Sequence, residues 1–362
     1  MADLYSLINT MMSDGTVARL ARRPLAQFGP PTRRYLGAEI LPERTVEQNE
    51  YQEDQIKYRT VIANSGTRYS PTQKKGADLV GSFLVVLGES DIAREMDGRQ
   101  YDTLLKVLGQ NLSMEGVARV TRWLDTTVNR ALLELNEKQR WDAIVGASVT
   151  RSGDNAYSEA VAYSDPAGHR AAAGGTWSSD AYDPFTDILA QADLLASKGY
   201  TVNRIFAGRT VVSILAGNDK VKARTGLPVV NVGGTISVSQ ARADLDGINR
   251  ALARDGLPAI EQYDLQYRTQ TGTGYFLARD AFVMVATTGQ DEALDLGDSQ
   301  QIVSDTLGYM AVGRAAGQTG PGRVIRMEAK DDKPPRIEAE GWQTALPVIT
   351  EPEAIAVINT IS

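Results

Sequence analysis

Between Ser113 and Val145 the apolar positions recur every three or four residues, at Val117, Val120, Leu124, Val128, Ala131, Leu132, Leu135, Ile144 and Val145. That spacing draws one apolar stripe along one face of a helix. Arg119, Arg122, Asp125, Arg130, Glu134, Glu137 and Lys138 fall on the opposite face. Ser113 is placed to cap the start with Glu115 in the first turn, Lys138 and Arg140 lie near the far end, and Gly146 is placed to stop it. At about 1.5 Å per residue the predicted helix is roughly 48 Å long, longer than a small domain is wide. Taken alone, it fits the core of an ordinary globular protein as well as it fits a spine.

The pattern before it is different. Gln55–Ile62 alternates polar and apolar, Asn64-Ser65-Gly66 signals a turn, and Tyr69-Ser70-Pro71 with Lys74-Lys75-Gly76 is polar up to the apolar run Phe83–Leu87. The stretch 47–87 therefore predicts a two-strand excursion with no core of its own, and an isolated hairpin is marginal in water. Such an excursion needs a surface supplied from elsewhere. Upstream, Asp3–Leu20 reads as a short helix, and Gly29-Pro30-Pro31 followed by Leu36–Pro42 reads as an extended arm. Downstream, strands around 147–161 and 202–207 and near 262–268 and 275–287 interleave with helices at 183–195, 210–215 and 239–254, with Gly199 ending the first of these. Interleaving of this kind indicates an α+β or α/β block. The tail is β-rich at 301–314, 322–327 and 336–344, and no internal repeat is found.

Length and composition bound the rest. The 362 residues with 42% hydrophobic content can bury a sizeable core and allow two or three domains. No stretch approaches the roughly 20 apolar residues of a membrane span, and Met1–Leu20 lacks the basic start and apolar block of a signal peptide. With no cysteine there is no disulfide, thiol nucleophile or thiolate metal site, which points to a reducing cytoplasm or a particle assembled there. The net charge of -7 is uneven: five arginines against Asp3 and Asp14 give +3 through Arg34, leaving -10 for the rest. A basic arm before an acidic body suits contact with acidic neighbour surface or nucleic acid, or simple solvation. The acidic body argues against a tight nucleic-acid binder, because such affinity comes mostly from phosphate neutralisation.

Candidate chemistry is sparse. His169, the only histidine, lies in the polar run Pro166–Arg170 without a nearby nucleophile or second ligand, and is expected to be a solvated loop residue. Glu50/Glu53/Asp54 and Asp291/Glu292/Asp295 lack the donor spacing of a calcium loop and read as solvated faces. Neither Gly272-Thr-Gly274 nor Val232-Gly-Gly234 continues as a dinucleotide loop, and no P-loop lysine motif occurs. Trp123 and Trp141 are expected in the core. No cofactor is expected, and nothing argues for catalysis, although a carboxylate-only site in the α/β middle stays open as an alternative.

At Gly174-Gly-Thr-Trp177, followed by Tyr182-Asp-Pro184 and Asp187-Ile188, the chain resembles the lambda-like major capsid proteins, the protein E family of tailed phages. The closing run Ala345–Val357 resembles that family's final segment. The order of arm, two-stranded extension, long helix, mixed middle and returning strands also fits. The resemblance implies an α+β, Hong Kong 97-type capsid fold: an N-terminal arm at 1–46, an extended β-hairpin loop at 47–92, a peripheral domain with the spine helix at 93–175 and 262–344, and an axial α/β domain at 176–261 and 345–362. It further implies a major capsid protein that self-assembles as hexamers and pentamers into an icosahedral virion shell around double-stranded DNA. The excursion and the arm would then be ordered on an adjacent subunit. Portal and scaffold proteins are implied partners, a decoration protein is a further one, and DNA contact would be weak and sequence-independent, with no membrane involved.

Inter-subunit contacts are expected at Arg22, Arg23, Arg33 and Arg34 of the arm, at Tyr58, Arg59, Arg68, Tyr69, Lys74 and Lys75 of the extension, and at Lys333 in a loop near local threefold contacts. Lys74 and Lys75 suggest the lysine-to-asparagine cross-links of some shells of this fold, but the lambda-like resemblance implies non-covalent contacts. An encapsulin-like compartment, which shares the fold and encloses protein cargo, is the alternative of the same architecture.

Overall fold

The computed structural model describes residues 2–13, 15–17, 34–57, 79–96, 98–109, 113–152, 158–225, 229–232, 235–238, 242–269, 272–286, 307–330 and 336–359. The chain forms two compact units, one from Met1–Tyr51, Val85–Trp141 and Tyr309–Val348, the other from Gln52–Leu84, Asp142–Gly308 and Ile349–Ser362.

The first unit is built on a sheet in the order Glu43–Thr45, Gly308–Val312, Arg336–Ile349, Val324–Lys330, with Gly88–Glu95 also paired to Arg336–Ile349. Glu43–Thr45 runs parallel to its neighbour, from Glu43 opposite Met310 to Thr45 opposite Val312. Arg336–Ile349 is the organising strand: its first half pairs antiparallel with Val324–Lys330 and, on its other edge, with Gly88–Glu95. Ile337 and Ala339 alternate with exposed or half-buried neighbours and face a core that includes Val120, Leu124, Val128, Ile325 and Met327. Each fully buried valine, leucine or isoleucine side chain in it contributes about 1.5–3 kcal/mol. A Cβ on Gly341 would lie 2.4 Å from Val128 Cγ1, so the strand meets the helix because position 341 has none.

The expected long helix is present in three consecutive pieces: α-helix Ser113–Leu124, a π-helical turn Asp125–Asn129, and α-helix Arg130–Gly146. Leu124 and Arg130, which flank the turn, keep helical dihedrals. Within and beside it, Thr126 and Thr127 hydroxyls donate to the Arg122 and Trp123 carbonyls at 2.7 Å each, the side-chain back-bonding that loosens a helix. Val120, Leu124, Val128 and Leu132 are buried as the stripe predicts. Two readings are corrected. Glu137 is not on a solvated face; it is fully buried, as is Arg140, because each finds the other and further partners nearby. Gly146 does not stop the helix; the turn away is made by Ala147, at φ +46.

Helices Ala2–Ser13 and Gly98–Gly109 complete this core through Ile8, Met11, Tyr101 and Leu104. The first of these corrects the expectation that the whole arm is ordered on a neighbour, since Ile8, Met11 and Val17 are buried within their own chain.

The second unit holds a five-stranded sheet in the order Ile260–Gln262, Arg204–Ala207, Ala281–Val285, Ile355–Asn359, Arg170–Ala172. All five residues of Ala281–Val285 are buried, the unbroken apolar run of a strand covered on both faces. Phe185, Ile188 and Leu195 of helix Pro184–Ser197 and Ile248 and Leu252 of helix Leu245–Arg254 share one core with Ile205, Phe282 and Ile358. Asp183 caps the first helix by accepting from Phe185 N at 3.1 Å with Pro184 at its start, and Gly199 at φ +91 lets the chain leave. Short helices Arg209–Gly217 and Asp219–Thr225 follow.

His169 corrects a fourth reading. It is fully buried, its Nδ1 lies 2.9 Å from the Ile355 carbonyl, and its own carbonyl accepts from Val357 N at 2.7 Å. Gly168, at φ +83, turns the chain so that this polar run tucks against the sheet. Small two-stranded sheets pair Ser148–Ser152 with Ser158–Ala162, Val229–Val232 with Thr235–Val238, and Gln266–Arg268 with Thr273–Tyr275.

Candidate functional site

The excursion is a two-stranded sheet of Glu50–Lys57 and Leu79–Val86. Alternation along the second strand leaves Leu84 63% and Val86 47% exposed while Val85 is buried. With Met12, these are the large exposed hydrophobic side chains among the described residues. Apolar side chains spaced two apart on one face of a strand form a surface that gains by being covered.

The root of the excursion is fixed by polar contacts in the first unit. Leu87 N donates to Asn49 O at 2.9 Å, and the Asn49 side chain donates to Arg314 O at 2.9 Å while accepting from Arg314 N at 2.7 Å. The Tyr51 and Tyr309 hydroxyls lie 2.9 Å apart, and the Arg44 guanidinium sits 4.8 Å from the centre of the Tyr309 ring.

The segment before the root is bolted to helix Arg130–Gly146 by a buried polar cluster. Glu137 Oε1 accepts from Gly37 N at 2.8 Å and from Trp141 Nε1 at 2.9 Å. Arg140 Nε donates to the Leu41 carbonyl at 2.9 Å, with Glu137 Oε2 at 3.5 Å and Glu43 Oε1 at 3.7 Å from the guanidinium. Arg323 also pairs with Glu43, at 2.9 Å. Burial pushes the Arg140 guanidinium below its usual range, while Glu137 and Glu43 oppose that shift. A Cβ at Gly37 would lie 2.8 Å from Glu137 Oε1, so the close approach requires glycine there. Beside the cluster, Tyr35 donates to Glu134 at 3.1 Å; burial first, then the Glu134 charge, pushes its hydroxyl pKa up.

In the second unit the run 174–187 is drawn together by one carboxylate. Asp187 accepts from Gly174 N at 3.1 Å, Trp177 Nε1 at 2.7 Å and the Tyr182 hydroxyl at 2.6 Å. Asn218 donates to the carbonyls of Trp177, Ser179 and Tyr182 at 3.0, 2.9 and 3.0 Å, and Arg224 pairs with Asp183 at 2.7 Å. Trp177 is fully buried, edge-on to Phe282 at 5.6 Å. Desolvation and the bond to Asp187 push the Tyr182 hydroxyl up from 10.0 to about 12. The cluster positions a loop and leaves its polar groups bonded to one another, which makes it a structural clamp.

Of the expected contact residues, Arg34 is described, and its guanidinium forks onto Glu39 of its own chain, with Nη2 to Oε2 at 2.7 Å. Arg22, Arg23, Arg33, Tyr58, Arg59, Arg68, Tyr69, Lys74, Lys75 and Lys333 lie outside the described residues. The buried cluster around Glu137 and Arg140 was not anticipated. The available signal was a Glu and an Arg three apart on one helical face, beside a tryptophan that the stripe sends inward.

A family model described as phage major capsid protein E matches residues 109–359. The chain belongs to that family. No curated protein matches it in sequence. Among solved structures, a phage-related protein of Bordetella bronchiseptica RB50 matches with a TM-score of 0.57 at 14% identity, covering 96% of both chains. A protein assigned as a prophage capsid protein of E. coli CFT073 matches with a TM-score of 0.51 at 14% identity, over 78% of this chain and 80% of that one. The mixed helix-and-sheet fold is therefore that of phage capsid proteins, as the Hong Kong 97-type expectation held. This major capsid protein is a structural protein of the virion shell and not an enzyme. None of its described helices is long and apolar enough to cross a membrane.

Proposed function

We propose that this major capsid protein forms hexamers and pentamers that close into an icosahedral shell around a double-stranded DNA genome. The observation that carries the reading, beyond family membership, is the exposed apolar pair Leu84 and Val86 on a strand whose root is hydrogen-bonded in place. A neighbouring copy supplies the covering surface, and repeating the contact around closed rings yields a shell. In this assignment 1–46 acts as the arm and 47–92 as the extended loop. Residues 93–175 and 262–344, with helix Ser113–Leu124, take the peripheral role, and residues 176–261 and 345–362, with helix Pro184–Ser197, take the axial role. Arg22, Arg23, Arg33, Arg34, Tyr58, Arg59, Arg68, Tyr69, Lys74, Lys75 and Lys333 contribute contacts to neighbours. Portal and scaffold proteins, and a decoration protein, join the same particle. The net charge of -7 keeps contact with packaged DNA weak and independent of sequence. Membership in a phage capsid family favours this reading over a protein-cargo compartment. Negative-stain microscopy of the expressed protein, alone and with its neighbouring gene products, is expected to show rings, sheets or shells. Compact monomers under every condition would contradict it.

A further inference from the structure

Helices Gly98–Gly109 and Ser113–Leu124 of the first unit enclose a groove of about 320 Å³ that none of the roles above uses. Its floor includes Leu104, Val120 and Trp123, and its rim carries Arg99, Thr103 and Arg119. Arg119 pairs with Glu115 at 2.8 Å, with both side chains about half exposed. Arg99 makes no ion pair among the described residues. A basic rim over an apolar floor fits an occupant that presents carboxylates and aliphatic side chains at close spacing.

One stretch of this chain has that chemistry. Residues 287–306, which lie outside the described residues, contain Asp291, Glu292, Asp295, Asp298 and Asp305 with no lysine or arginine, and Leu294 and Leu296 alternate with the acids. We propose that in the assembled shell the groove of one subunit is occupied by residues 291–298 of a neighbouring copy. The inference rests on the capsid reading, since an assembly of identical copies presents the same segment to every groove in fixed geometry. Carboxylates meeting arginine forks at a partly dehydrated rim form charge-assisted hydrogen bonds, and leucines cover the tryptophan that the subunit leaves half-buried. A phosphate backbone would satisfy the rim but leave the apolar floor uncovered, so the acidic peptide is favoured over nucleic acid.

Because the chain has no cysteine, an introduced pair reports the contact without background. One tagged copy carries Arg99→Cys, and a differently tagged copy carries Asp291→Cys, Asp295→Cys or Asp298→Cys. The two are co-assembled, oxidised and run on a non-reducing gel. The expected result is a covalent band carrying both tags, at twice the chain mass, in the shell fraction. Normal shells without that band for all three positions would overturn this inference alone, whereas a parent protein that forms no shells would overturn the capsid reading with it. As a second arm, Arg99→Glu with Arg119→Glu is expected to lower shell yield about tenfold, and adding Asp291→Lys with Asp295→Lys to restore it. Unchanged yield with a loss of retained DNA would identify nucleic acid as the occupant and overturn the proposal.

Discussion

Glu137 and Arg140 show what a single position does in this subunit. Pattern reasoning sends charged residues outward, because burying an unpaired charge costs several kcal/mol. Here the cost is offset by a backbone N–H, an indole N–H, a carbonyl and a second carboxylate, and all but the indole, one turn along the same helix, come from residues distant in sequence. Removing one partner leaves the other buried and unpaired. Glu137→Ala is therefore expected to lower the stability of the unassembled subunit by about 3–5 kcal/mol in urea unfolding, and a loss under about 1 kcal/mol would show that the cluster is not a bolt. His169 was misread for a related reason: a Gly-containing polar run looks solvated until its strand partner, Ile355–Asn359, arrives from nearly two hundred residues away. The tyrosines carry a pH consequence. The Tyr182 hydroxyl is raised to about 12, and Tyr35 and Tyr163 are raised as well, chiefly by burial. A raised acid pKa means the folded state holds its protons more tightly than the unfolded chain. That stability is intact below about pH 10 and is lost as pH rises towards 12 and beyond. The melting temperature of the subunit is expected to fall steeply above pH 10; a flat profile to pH 12 would contradict the buried placements.

At the scale of elements, the apolar stripe, the Asp183-Pro184 start and the Gly199 stop were all legible, since each is a local signal. Helix Gly98–Gly109 was read only as part of the peripheral domain, because it lies beside the stronger periodicity that follows. The pairing of Ala281–Val285 with both Arg204–Ala207 and Ile355–Asn359 was not legible, because strand partners are chosen by shared core and not by spacing. The π-helical turn was likewise invisible, although it leaves the stripe in place through Val128. Leu124 sits in the centre of that stripe and is fully buried. Leu124→Asp is expected to abolish folding, by introducing an unpaired charge into the first unit's core, and a normal circular dichroism spectrum would refute the face assignment. Arg130→Ala, which removes a partly exposed pair with Glu134, should cost under about 1 kcal/mol and keep the spectrum.

For the whole molecule, the hydrophobic pattern suggested only a subunit that needs a neighbour's surface, and the resemblance carried by 174–188 and 345–357 is what implied a capsid shell. The residues expected to make the contacts were the least legible part, since their partners belong to another copy. Contacts between subunits are expected to be non-covalent, so boiling mature particles in detergent should release one band at 39.2 kDa, and a ladder of multimers would contradict this. The central claim is that the exposed side chains of Leu84 and Val86 are held by a neighbour and are not needed for folding. The direct test is sedimentation of the parent protein beside Leu84→Asp under assembly conditions. The parent should sediment as shells and the variant as a folded monomer of 39.2 kDa, because a charge on a 63% exposed position spares the fold and spoils the interface. Shells of normal size and yield from the variant would contradict the account.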